Sequence, residues 1–322
     1  MKKGFSYVLL AILLLMFLAW TGPVRAYTVT GDLSSSGSAA LAGNVTSTGS
    51  LSALFDTSGG EALYINNGSP YSDMYANNDY IIATSTSGAW LTFSVGEITV
   101  GNNSVNSHVS SNANNITITG NSTIGYTITG PNPGQVLNNL ANIDVVHTGT
   151  VSNGNGSYAS SFTVQQNGTT LASYNSSNFP GTYTQITGQE SWVSTGNAYT
   201  GVSLLALLNA AGINTSNLNQ YVIATGSDLG STVLSMAEIV QNNGSTVNGH
   251  SGSDMVAYLL NGSLHSTSRG YARLVLPSDT SNSRSIFTLT SLDVVATPIP
   301  AALLLFAPGL AGLVGLRKRF VR

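Results

Sequence analysis

The sequence predicts a strand-dominated α+β protein that contains two tandem copies of one domain. Residues 80–98 align without a gap with residues 221–239, and two flanking runs, 50–55 and 142–146, match 203–208 and 291–295. Short apolar runs typical of strands outnumber helical patterns in both copies. A repeat this long indicates duplicated domains, since solenoid units are far shorter. The shared residues of the longest match are Tyr80/Tyr221, Ile82/Ile223, Ala83/Ala224, Thr84/Thr225, Ser94/Ser235, Glu97/Glu238 and Ile98/Ile239.

Charge is scarce and unevenly placed along the chain. Only 7% of residues are charged, and residues 27–296 hold all thirteen acidic residues but three of the ten basic ones, so their formal charge is 3 − 13 = −10. A surface of that sign repels phosphate backbones, which disfavours nucleic-acid binding. The chain has no cysteine, so packed cores and not disulfides must stabilise it.

Residues 1–26 resemble a secretory signal peptide. Lys2 and Lys3 begin the segment, residues 7–20 are apolar, and Val24 and Ala26 are the small residues before a cut at Tyr27. The alternative is an uncleaved membrane anchor, for which the apolar run is short. We therefore expect export and processing by signal peptidase.

Residues 297–322 form a second targeting segment, in which residues 301–316 are a predicted transmembrane helix. The segment resembles the PEP-CTERM sorting signal, with Pro298-Ile299-Pro300 where that family usually has Pro-Glu-Pro. The resemblance implies a Gram-negative bacterium, recognition by exosortase, an inner-membrane anchor in transit, and delivery to the cell surface or exopolysaccharide matrix. The alternative is a plain C-terminal membrane anchor. The motif residues are Pro298, Pro300, Arg317, Lys318 and Arg319.

The first copy spans residues 27–147. Residues 50–60 predict a short amphipathic helix, residues 80–85 and 90–95 predict strands joined at Ser87-Gly88, and residues 142–146 close the copy. Two further strands are predicted from alternating apolar residues: Ile116, Ile118, Ile124, Tyr126 and Ile128. Residues 148–157, rich in Gly, Asn and Ser, predict a flexible linker.

The second copy spans residues 158–296. It opens with a predicted hairpin that turns at Asn167-Gly168. The strongest helix pattern follows, with Ser203 as its cap, Gly212 as its end, and an apolar stripe formed by Leu204, Leu205, Leu207 and Leu208. Glu97 and Glu238 follow strands at equivalent positions, where a role at a helix start is expected.

The second copy resembles the oxidoreductase molybdopterin-binding domain family, whose fold is that of sulfite oxidase. The resemblance rests on the residues at 199–213, 222–239, 255–264, 270–279 and 289–295. It implies two tandem sulfite-oxidase-like domains, the first of them through the internal repeat. It also implies molybdopterin as a possible cofactor.

The residues that such a cofactor needs are few. Sulfite-oxidase-type members of that family use one cysteine as a molybdenum ligand, and this chain has none. The cofactor phosphate calls for Arg, Lys or backbone donors, and the first copy has no Lys or Arg. The candidates for a pterin or anion site are His265, Arg269, Arg273 and Arg284. In the alternative interpretation the arginines pair with nearby carboxylates, namely Asp254, Asp279 or Asp293.

Other chemistry finds little support in the sequence. His250, Ser251 and Asp254 share one loop, but a hydrolase triad needs groups oriented by separate elements. No glycine-rich phosphate loop, zinc spacing or EF-hand pattern occurs, so we predict no catalytic or metal-binding residue and expect no cofactor. The sequence predicts an exported, non-catalytic surface or matrix protein with a structural or ligand-binding role, which includes exopolysaccharide as a ligand. The alternatives are a molybdopterin-dependent oxidoreductase subunit and a surface adhesin.

Overall fold

The computed structural model describes residues 26–31, 44–45, 48–51, 54, 56–57, 60–61, 79–94, 97, 116–132, 134–147, 159–179, 183–189, 197–227, 230–247, 249–265, 270–279 and 284–296. Apart from Ala26, the predicted signal peptide lies outside these residues, as do the linker, the sorting motif and the predicted helix 301–316. Arg269 also lies outside them. Within the described ranges, no helix has the length and hydropathy that a membrane crossing requires.

The described part of the chain is mostly strand. The first half contains β1 (Tyr27–Gly31), β2 (Asn44–Val45), β3 (Gly49–Ser50), β4 (Asp56–Thr57), β5 (Gly60–Glu61), β6 (Asp79–Ser85), β7 (Trp90–Ser94), β8 (Thr117–Asn121), β9 (Gly125–Thr129), β10 (Val136–Asn138) and β11 (Leu140–His147). The second half contains β12 (Ser161–Gln166), β13 (Thr169–Asn175), β14 (Gln185–Gln189), β15 (Ala198–Ser203), α1 (Leu204–Ala210), β16 (Gln220–Gly226), β17 (Ser231–Ser235), α2 (Met236–Asn242), β18 (Thr246–Val247), β19 (His250–Ser251), β20 (Met255–Leu260), β21 (Ser263–Leu264), β22 (Arg273–Val275) and β23 (Leu289–Ala296). The strand-dominated class predicted from the sequence is therefore confirmed.

Each half contains a five-stranded sheet with the same strand order. The order is β2-β1-β11-β6-β7 in the first half and β13-β12-β23-β16-β17 in the second. In each sheet one pair is parallel, β1 with β11 and β12 with β23, and the other pairs are antiparallel. Tyr80 pairs with Ser94 just as Tyr221 pairs with Ser235. The repeat in the sequence thus extends to strand order and register.

A second sheet packs on each five-stranded sheet and closes a core between two layers. In the first half this sheet has four strands, β10-β9-β8-β3, whereas its counterpart has seven, with β22 paired to β20 beside the path β18-β19-β14-β15-β20-β21. The first core joins Ile81, Phe93 and Ile143 to Ile118 and Ile128. The two halves therefore share one sheet and differ in the other.

Helix α1 packs its apolar stripe into the core of the second half. Leu204, Leu207 and Leu208 are buried, and Leu51 and Leu54, which align with the first two, are buried in the first half. Gly212 follows the helix with φ +88°, as a helix-ending glycine does.

Four details differ from the sequence predictions. Residues 56–57 and 60–61 form the paired strands β4 and β5, although a helix was predicted over residues 50–60. Ser203 occupies the N-cap position, but its hydroxyl donates to Asn243 Oδ1 at 2.8 Å and makes no capping bond. The first amide of the helix, Leu204 N–H, donates to the Asp254 carbonyl at 2.8 Å. Leu205 is only partly buried. Ile124 lies in the β8–β9 turn with 72% of its surface exposed, and not in a strand.

The predicted hairpin turn and the glutamate positions agree with the structure. Asn167 and Gly168 join β12 to β13 with φ of 50° and 77°, as a two-residue turn with two left-handed residues requires. Glu238 lies in the first turn of α2, and its N–H donates to Ser235 Oγ at 3.0 Å. Ser94 and Glu97 make the reciprocal bonds of a capping box. Both glutamates therefore belong to serine-capped helix starts.

The two halves pack on each other through residues that the repeat relates. Tyr80 stacks on Tyr221 with ring centroids 4.2 Å apart, and its hydroxyl donates to the Tyr221 hydroxyl at 3.2 Å. Apolar residues from both halves surround this pair: Ile82, Val146, Ile223, Val233 and Val295. Ser94 Oγ donates across the contact to Glu238 Oε2 at 2.8 Å. The contact therefore has the character of a two-fold interface within one chain.

Candidate functional site

Arg284 lies in a buried ion-pair network and not in an open cleft. Its Nε donates to Asp279 Oδ2 at 2.9 Å and its Nη2 to Asp279 Oδ1 at 2.6 Å. Nη1 and Nη2 also donate to the two carboxylate oxygens of Glu238. Burial lowers the pKa of Arg284, but the carboxylates of Asp279 and Glu238 outweigh it, so this pKa lies well above its ordinary value. The expected pairing with Asp279 is confirmed, whereas Glu238 is a partner that the sequence did not indicate.

Two further carboxyl groups lie against this network. Glu97 Oε2 accepts the Ser94 N–H at 2.7 Å, and burial, followed by the charge of Glu238, raises the pKa of Glu97 to about 8. Asp254 accepts bonds of 3.1 and 3.2 Å from Asn242 Nδ2. Burial and the charges of Glu238 and Asp279 raise the pKa of Asp254 well above its ordinary value. We refer to Glu97, Glu238, Asp254, Asp279 and Arg284 as the carboxylate cluster.

Arg273 lies in β22 and is buried against aromatic rings. Its Nη1 donates to the Tyr199 hydroxyl at 2.6 Å. The guanidinium carbon lies 3.9 Å from the centre of the Phe287 ring and 4.9 Å from that of Tyr199. The imidazole of His265 stacks on Tyr199, with ring centroids 6.2 Å apart. We refer to Tyr199, His265, Arg273 and Phe287 as the tyrosine cluster.

The structure therefore divides the predicted site residues. It brings His265 and Arg273 together around Tyr199, and it places Arg284 among carboxylates contributed by other elements. Tyr199 and Phe287 were not predicted as part of the site. Tyr199 begins one of the segments that carry the family resemblance, so its position was a signal that sequence reasoning could have used.

The described residues are not arranged to bind molybdopterin tightly. The sequence contains no cysteine to ligate molybdenum. All three guanidinium nitrogens of Arg284 donate to carboxylates, and the Arg273 guanidinium lies beneath an aromatic ring with Nη1 bonded to Tyr199. A phosphate needs donors that it can reach. Both arginines are instead used for packing within the protein.

Among the described residues, His250, Ser251 and Asp254 do not form a triad, and no metal-binding group is found. His250 and Ser251 lie in β19 and are partly exposed, whereas Asp254 is buried and bonded to Asn242, so the three do not assemble a triad. Across the described ranges, no group of three or more His, Asp or Glu side chains is arranged to hold a metal ion. A surface depression of about 370 Å³ between β3 and β8 is lined by uncharged residues: Thr48, Gly49, Ser50, Thr117, Ile118, Thr119 and Gly120.

Comparison with known proteins finds matches among solved structures. No family model matches the chain, and no curated protein matches it. Among solved structures, the chain is similar to the crystal structure of the sulfane dehydrogenase SoxCD from Paracoccus pantotrophus, with 18% identity and a TM-score of 0.29. The likeness covers 48% of this chain and 42% of that chain. The chain thus spans less than half the length of the protein it resembles.

Proposed function

We propose that the protein is a non-catalytic component of the cell surface or extracellular matrix, with a structural or ligand-binding role. The observation that carries the proposal is the use of the described arginines. Arg284 binds two carboxylates and Arg273 packs between Tyr199 and Phe287, so both cations stabilise the fold. An enzyme that grips an anionic cofactor needs such groups at a cleft.

Polar groups on the outer face of the first sheet favour, as the ligand, a polar and uncharged molecule such as exopolysaccharide. Thr30 Oγ1 donates to Asp144 Oδ1 at 2.8 Å, and Asn142 Nδ2 donates to Thr30 Oγ1 at 3.0 Å. Hydroxyl and amide groups of this kind exchange hydrogen bonds with sugar hydroxyls and water alike. Export by signal peptidase and sorting by exosortase from the inner membrane to the surface complete the proposal, and both rest on the terminal segments of the sequence.

A gene deletion in the native host tests this role. We expect the deleted strain to retain less exopolysaccharide and fewer attached cells, with unchanged oxidoreductase activity in its envelope fraction. The full-length gene restores both properties. Loss of an oxidoreductase activity with normal matrix and attachment would contradict the proposal. Loss of attachment with an unchanged matrix would point to the surface adhesin instead.

The second candidate is a molybdopterin-dependent oxidoreductase subunit that uses the second half of the chain. This candidate rests on the resemblance of residues 199–213 and 270–279, which include Tyr199 and Arg273, to the molybdopterin-binding domain family. The protein named in the structural likeness is a dehydrogenase, which is the same broad class. If this candidate is correct, molybdenum is present in the native protein and Arg273→Ala removes it, while Asp293→Asn leaves it in place.

A further inference from the structure

The interface between the two halves contains the same acidic position twice. Glu97 and Glu238 are related by the repeat, and each follows a capping serine, Ser94 or Ser235. Ser94 also donates across the interface to Glu238. Two buried carboxyl groups of like charge therefore face each other where the halves meet.

The positive charge is not duplicated with them. The first half has no Lys or Arg, and Arg284 binds Glu238 together with Asp279. Glu97 is 2% exposed, and only its Oε2 accepts a hydrogen bond from the described residues, while Oε1 accepts none. One glutamate of the related pair is thus neutralised by a guanidinium and the other is not.

The charges of the cluster show what this asymmetry requires. With every group ionised, four carboxylates and one guanidinium would leave a net charge of −3 in a volume closed to water. Buried carboxyl groups near like charges bind a proton instead. Asp254 lies within the second half, whereas Glu97 reaches the cluster from the first half, so the state of Glu97 bears on the contact itself.

We propose that Glu97 enters the interface as a neutral carboxylic acid, so that a proton clasps the two halves together and the clasp loosens as the pH rises. The groups that face Glu97 are Glu238 on α2, Ser235 at the end of β17, Arg284 before β23, and Ser94 beside it. The proposal is independent of the function proposed above, since it concerns the contact and not a ligand.

The direction of the pH dependence follows from the proton that the closed interface retains. Burial and then Glu238 raise the pKa of Glu97 from 4.5 to about 8, and the weaker effects of Ser235, Ser94 and Arg284 lower it. The closed interface therefore binds more protons than the opened one between these two values. The contribution of this proton to the stability of the interface is fully present below pH 4.5 and is lost as the pH rises towards 8.

Amide hydrogen exchange on the full-length chain tests the clasp between pH 5 and 9, with rates corrected for intrinsic exchange. In the native protein, the protection of amides in β7 and β17 should fall about tenfold per pH unit up to pH 8, because opening releases one proton. Amides of β12, in the core of the second half, should not follow this slope. A flat profile in β7 and β17 would overturn the proposal.

Matched variants assign the slope to a residue. Glu97→Gln keeps the shape of the neutral acid, so the protection of the β7 and β17 amides should no longer depend on pH. If the glutamine variant folds poorly, Glu97→Leu should give the same pH-independent protection. Asp144→Asn removes a carboxylate outside the carboxylate cluster and should leave the slope intact. If Asp254→Asn flattens the profile while Glu97→Gln retains the slope, the clasp does not reside at Glu97.

Discussion

At the scale of single residues, the bonds of Arg284 to buried carboxylates indicate that this cation has a structural role. The buried guanidinium of Arg284 bonds two carboxylates through three nitrogens. Without it, both carboxylates would remain buried with no compensating positive charge. From the sequence, Asp279 was one of three candidate partners for the arginines, together with Asp254 and Asp293. The sequence could not reveal Glu238, which lies 46 positions from Arg284 and meets it only through the fold of the second half. Nor could it reveal Glu97, since that contact depends on how the halves pack.

Removal of Arg284 should therefore destabilise the protein strongly. Arg284→Met should lower the free energy of unfolding by about 3–5 kcal/mol, because Glu238 and Asp279 would remain buried without a cation. Urea denaturation at neutral pH measures this change. Asp293→Asn, a charge change on the surface of the same half, should alter stability by less than about 0.5 kcal/mol. Similar stabilities of the two variants would show that the network contributes little.

At the scale of elements, periodicity predicted what lies within one strand or turn. The predictions of the Asn167-Gly168 hairpin and of helix α1 agree with the structure. The predictions that failed concern side chains whose hydrogen-bond partners are distant in sequence. Ser203 makes no capping bond in α1, and its hydroxyl instead donates to Asn243, which lies 40 positions away.

Two glycines should differ in their response to the same change. At Gly168, with φ +77° and open space around it, alanine should cost about 1–2 kcal/mol for the left-handed backbone. At Gly201, an added Cβ would lie 2.2 Å from the Val256 carbonyl oxygen on the paired strand β20. Gly201→Ala should cost more than Gly168→Ala, because the backbone of the sheet must move.

Thermal unfolding of the two glycine variants measures the difference directly. The melting temperature should be highest for the native protein, lower for Gly168→Ala and lowest for Gly201→Ala. Equal losses would show that the close approach of β15 and β20 relaxes without strain.

At the scale of the whole molecule, the repeat in sequence corresponds to a repeat in strand order and to a contact between related residues. The likeness between residues 80–98 and 221–239 was visible in the sequence. The stacking of Tyr80 on Tyr221 was not, because a repeat alone does not say whether its copies touch. The divergence of the second sheet was hidden as well, since the runs that form it are not shared.

A double-mutant cycle tests this contact. Tyr80→Ala and Tyr221→Ala should each destabilise the protein, and the stacked pair should give a coupling energy of about 0.5–1.5 kcal/mol. The measurement is urea denaturation of the native protein, both single variants and the double variant. Additive losses would mean that the rings do not interact in solution.

We propose that Arg273 and Arg284 stabilise the fold and do not hold a cofactor. The most direct test is the molybdenum and pterin content of the full-length protein, purified from its native host under mild conditions. We expect far less than one molybdenum atom per chain and no pterin fluorescence after denaturation. One molybdenum and one pterin per chain would contradict the proposal.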